Sequence, residues 1–61
     1  MTAPRIEYGA RIVSVAANVY MKDFNKATVD AWMAEYGAIT PLVLVVRIWD
    51  GDVNGGWEVA A

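Results

Sequence analysis

The longest apolar stretch of the chain, Ile39 to Trp49, alternates Leu42, Leu44, Val46 and Ile48 against Val43, Val45, Arg47 and Trp49. Period-two alternation of mostly branched residues predicts a strand over 41–49. Both faces open apolar, as in a strand covered on two sides. The turn Asp50-Gly51-Asp52-Val53-Asn54-Gly55-Gly56 follows, and the chain then returns as a short strand from about Gly56 to Ala60.

A helix is predicted over 26–36. Val29, Trp32, Met33 and Tyr36 recur at i, i+3, i+4 and i+7 and share one face, while Lys26 and Asp30 pair at i,i+4 on the other. Asn25 suits the N-cap, because its side-chain oxygen can accept from free N–H groups of the first turn. Phe24 and Val29 have the spacing of a hydrophobic staple. Gly37 is expected to end the helix in a left-handed conformation, and Pro41 prevents its resumption. Glu35, in the last turn, opposes the helix dipole.

Residues 5–21 admit two readings. At period two, Ile6, Tyr8, Ala10 and Ile12 oppose Arg5, Glu7 and Arg11, after which the phase slips to Val13, Val15, Val19 and Met21. A β-bulge at Gly9 or at Ile12-Val13 would produce that slip. At period 3.6, Ile12, Val15, Ala16, Val19 and Tyr20 form a stripe, with Glu7 and Arg11 paired at i,i+4. The density of Ile, Val and Tyr favours strand. The resulting expectation is one α+β domain over residues 1–61, ordered β-α-β-β, with one helix packed on a small antiparallel or mixed sheet.

Composition adds a partner to this picture. A chain of 61 residues buries only about 60% of its unfolded surface, so small domains usually add disulfides, a metal or a partner subunit. The sequence has neither cysteine nor histidine, which excludes disulfides and thiolate or imidazole metal sites. Apolar residues make up 57% of it, more than so small a body can hide. A homodimer is therefore expected, in which a second copy covers Val43, Val45 and Arg47. The net charge is −2, and the two lysines and three arginines form no run, so direct nucleic-acid binding is not expected. The apolar run of about 11 residues is short against the roughly 20 that span a bilayer. No signal-peptide pattern opens the chain, and the expected location is cytoplasmic.

The turn is the one stretch with a metal-like pattern. Asp50-Gly51-Asp52-Val53-Asn54-Gly55 resembles the opening of an EF-hand calcium loop, D-x-[DN]-x-[DN]-G. The resemblance implies oxygen ligands from Asp50, Asp52 and Asn54, with Glu58 at position 9. It covers six residues, and Ala61 stands at position 12, where the family has its bidentate glutamate. A hairpin built from Asp, Asn and Gly accounts for the same residues without an ion. No cofactor is expected.

Catalysis is not expected either. Asp50 and Asp52 sit on an exposed turn without the burial that shifts a carboxylate pKa, and Ser14, Thr28 and Lys22 have no histidine to activate them. Trp49 and Trp57 flank the turn and can pair across the hairpin. Turned outward beside Asp50, Asp52 and Glu58, they would form an aromatic, acidic patch suited to a basic partner surface. The expected function is a non-enzymatic interaction protein that binds and blocks a larger protein or protein–nucleic-acid complex. In size, acidity and lack of catalytic groups the chain resembles phage and mobile-element inhibitors of host defence, anti-CRISPR proteins among them, by profile and not by motif. A weak calcium-binding hairpin module and a small structural subunit of a larger assembly are the alternatives.

Overall fold

The computed structural model describes residues 3–15 and 18–60. Strand β1 (Arg5–Ile12) runs antiparallel to β2 (Met21–Asp23) on one side and to β3 (Leu42–Asp50) on the other. Helix α1 (Lys26–Tyr36) joins β2 to β3. Strands β4 (Val53–Asn54) and β5 (Glu58–Val59) both pair antiparallel with the far edge of β3. The domain is α+β with one helix, as expected, but its order is β-β-α-β-β-β. The extra strand before the helix is three residues long, too short for any periodicity to register.

Segment 5–21 is neither one strand nor a helix. Its pairing with β3 runs unbroken from Arg5 opposite Trp49 to Ile12 opposite Leu42, so no bulge interrupts β1. The phase slip after Ile12 is the turn at Val13 and Ser14. Ala16, part of the alternative helical stripe, lies outside the described residues. The Arg11 guanidinium donates to the carbonyls of Ile12 and Val13 at 3.1 and 3.0 Å, while Glu7 pairs across the sheet with Arg47.

The helix spans the residues predicted for it. The Asn25 side chain accepts from Ala27 N–H at 3.0 Å, and Asp23 accepts from Asn25 N–H at 2.7 Å. Lys26 and Asp30 form the expected pair at 2.7 Å. Gly37 departs from expectation, with φ −65° and ψ −20°, which is right-handed. Its need for glycine is steric: a Cβ there would lie 2.5 Å from the Met33 carbonyl oxygen, to which Gly37 N–H donates.

Register sorts the sheet into two faces. Ile6, Tyr8, Ala10 and Ile12 lie beside Leu42, Leu44, Val46 and Ile48 on the helix side. The helix packs on β1 and β2, where Val29 and Ala10 are fully buried. Arg5, Glu7, Gly9 and Arg11 lie beside Val43, Val45, Arg47 and Trp49 on the outer face, with Lys22 from β2 and Val59 from β5. Val45 is 1% exposed in the single chain. Trp57 and Val19 close over its cross-strand neighbour Gly9, where a Cβ would meet Val19 Cγ1 at 2.7 Å and the Trp57 ring at 3.1 Å. Of the three residues expected to be covered by a second copy, Val45 is thus buried within the chain itself, while Val43 and Arg47 are half-buried. Full burial of Val29 and of Val45 stabilises the fold by about 1.5–3 kcal/mol each. Among the described residues no helix is long and apolar enough to cross a membrane.

Candidate functional site

A β-bulge builds the outer face. Trp49 pairs with Asn54, and Val46 pairs with Glu58. Following each register inward leaves two residues, Gly55 and Gly56, opposite Ile48, and Gly55 N–H donates to the Ile48 carbonyl at 2.9 Å. The extra residue shifts every later side chain to the opposite face. Trp57 therefore stands opposite Arg47, with the guanidinium carbon 4.4 Å from its ring centroid. The same guanidinium lies 5.1 Å from the Trp49 ring. Trp49 and Trp57 are accordingly not direct hairpin partners; Arg47 sits between them.

Glu7 anchors this group. Its Oε1 accepts from Arg47 Nε and, at 3.0 Å, from Trp49 Nε1, and the Glu7 and Arg47 side chains are only 7% and 15% exposed. Burial pushes the Glu7 carboxyl up, but the hydrogen bonds from Trp49 and Arg47 and the charges of Arg47 and Lys22 outweigh it, leaving the pKa below its ordinary value. A buried carboxylate so satisfied fixes the Trp49 ring and the Arg47 guanidinium.

The aromatic row continues outward. The Trp49 ring centroid is 6.4 Å from that of Phe24, tilted by 51°, and Arg5 lies 4.5 Å over the Phe24 ring. Phe24, spaced in sequence for a staple with Val29, thus presents its ring beside the sheet's outer face and is 42% exposed.

Charge is segregated between the two sides. Of the five basic residues, Arg5, Arg11, Lys22 and Arg47 fall on the outer face, and Lys26 is paired on the helix. Glu7 is the carboxylate that register places among them. Asp23, Asp50 and Glu58 fall on the helix side, and Asp30 and Glu35 belong to the helix itself. Among the described residues the ion pairs are Glu7–Arg47 and Lys26–Asp30, so Arg5, Arg11 and Lys22 have no carboxylate partner.

Comparison with protein-family models, with curated proteins and with solved structures finds no match for this chain.

The structure divides the residues proposed for partner binding. Trp49 and Trp57 are half-buried on the outer face, whereas Asp50 and Glu58 are exposed on the helix side and Asp52 is exposed in the turn. The aromatic, acidic patch is not assembled. The calcium pattern fares similarly, for the turn is a two-residue hairpin loop, Gly51-Asp52, closed by Asp50 opposite Val53. Gly51 has φ 64°, the sole positive φ among the described residues, which fits a type II′ turn with glycine first. Asn54 is paired opposite Trp49, and among the described residues no three acidic side chains gather where they could hold an ion. Ala61 lies outside the described residues. Ser14, Thr28 and Lys22 sit in a turn, on the helix and on β2, and are not brought together.

Arg5, Lys22 and Phe24 went unremarked as a group in the sequence. Period two marks Arg5, Glu7 and Arg11 as one face of a strand, but joining them to Lys22 and Arg47 requires the pairing of three strands. On the helix side, Ile12, Tyr20, Trp32, Tyr36, Ile39 and Leu42 line an open apolar groove of about 390 Å3.

Proposed function

We propose that the chain is a non-enzymatic interaction protein that binds and blocks a larger macromolecular partner through the outer face of its sheet. The observation that carries this reading is the gathering of Arg5, Arg11 and Lys22, all without carboxylate partners among the described residues, beside Phe24, Trp49 and Trp57. Arginine and aromatic side chains dominate binding energy at interfaces, and a face of one charge sign steers an oppositely charged partner to it. The partner surface it suits is anionic. This reverses the sign expected from Asp50, Asp52 and Glu58, of which Asp50 and Glu58 fall on the face opposite the tryptophans.

The blocking role and a cytoplasmic site of action rest on profile: small size, net acidity and the absence of cysteine and histidine, as in phage and mobile-element inhibitors of host defence. Self-association, if it accompanies this role, belongs to the helix side, where Tyr36, Ile39, Ile48 and Val53 stay exposed. The test is affinity capture from the cell that makes the protein, with the native chain and with Arg5→Glu/Lys22→Glu. A stoichiometric partner held by the native chain and lost by the double variant supports the reading. Recovery of nothing, or equal recovery by both, overturns it.

A further inference from the structure

We infer that the anionic partner is single-stranded nucleic acid, its bases stacked on Phe24 and the exposed parts of Trp49 and Trp57 and its phosphates on Arg5, Arg11 and Lys22. This inference rests on the outer face being the docking surface. Three features of that face select the ligand. Arg5, Arg11 and Lys22 have no carboxylate partner among the described residues, and Glu7, the carboxylate that register places on this face, is taken up by Arg47, so phosphates would meet a net positive field. Its aromatics are interleaved with those cations: Arg5 over Phe24, Phe24 beside Trp49, and Arg47 between Trp49 and Trp57. Stacking platforms for unpaired bases combine these two elements, a basic track and open ring faces.

The third feature is rigidity. Glu7 holds Arg47 and Trp49 through one oxygen, and the Gly55-Gly56 bulge sets Trp57 beside them, so the rings are placed before any ligand arrives. A duplex hides its base faces and would use the cations alone. An acidic peptide would likewise satisfy the cations and leave the rings idle. Sequence preference is expected to be weak, because the face offers little to read base edges beyond the Asn54 amide beside Trp49.

The experiment is titration of the full chain with an oligodeoxythymidylate of about ten nucleotides, a length within the about 4–16 that small sheet platforms cover. It is read by tryptophan fluorescence at several salt concentrations. Quenching is expected, with log K falling against log salt at a slope of about −2 from three phosphate contacts. Arg5→Gln/Lys22→Gln should reduce the slope to about −0.7. Phe24→Leu should weaken binding by about fivefold or more at an unchanged slope, since it removes a ring and no charge. Circular dichroism establishes that each variant is folded.

Absence of binding at low salt overturns the inference. So does equal binding of poly-glutamate, or of duplex DNA in place of the single strand. Either of the last two leaves docking through the outer face standing, whereas Arg5→Gln/Lys22→Gln binding like the native chain overturns that reading as well.

Discussion

Trp57 stands opposite Arg47 because Gly55 and Gly56 both stand opposite Ile48. One extra residue in the returning strand decides which side of the sheet receives the last tryptophan. On the outer side it covers Gly9, flanks the guanidinium and completes the aromatic row. Without the bulge it would stand opposite Val46, on the helix side.

Inserting one glycine after Gly56 should therefore cost far more than replacing Gly56. The insertion moves Trp57 one position along, opposite Val46 and away from Arg47, with an expected loss of about 2–4 kcal/mol from burial and cation–π contact. Gly56→Ala, where a Cβ meets nothing within 4 Å, should change stability by no more than about 0.5 kcal/mol. Urea unfolding followed by tryptophan fluorescence compares the two; equal effects would refute the role given to the bulge.

Gly9→Ala tests the opposite case, a glycine required by contact. The added methyl would press on Val19, on the Trp57 ring and on the Met21 carbonyl, 3.2 Å away. Overpacking of this kind costs about 1–3 kcal/mol. A midpoint unchanged in urea would mean that Val19 and Trp57 move aside freely.

Glu7 gives the fold an acid-sensitive centre. Its folded pKa is lowered relative to an ordinary value of 4.5, so its contribution is fully present above that value. The contribution is lost as the pH falls through the depressed folded value, where protonation weakens the contact with Arg47. Glu7→Gln should destabilise the protein by about 1–3 kcal/mol at neutral pH. It should also flatten the loss of stability below pH about 4.5. Unfolding midpoints measured across that range check the sign, and a variant with the native pH profile would show that another group is responsible.

Val45→Asp distinguishes a core position from an interface position. Val45 is buried in the single chain, so an unpaired carboxylate there should unfold the domain and abolish its circular dichroism signal. A folded variant whose only change is a lower mass in light scattering would restore Val45 to a subunit interface.

Much of the secondary structure was legible locally. The helix from Lys26 to Tyr36 follows from its cap and its apolar stripe, and β3 follows from alternation, because both signals repeat several times within one element. The short strands β2, β4 and β5 carry no such repetition. They exist because β1 and β3 offer edges to pair with, which is a property of the assembled sheet.

By itself, the sequence determined the α+β class, the helix with its Asn25 cap, and the alternation of Val43, Val45, Arg47 and Trp49 against Leu42, Leu44, Val46 and Ile48. These depend on neighbours a few residues away. Tertiary structure alone decided what those faces meet. Glu7 and Arg47 are 40 residues apart, and Phe24 reaches Trp49 only across β1. A basic face in a chain of net charge −2 is invisible to composition, since pairing three strands sorts like charges onto one side while the sum stays the same. Register across strands, set in part by a single bulge residue, is what turns scattered arginines and aromatics into a surface.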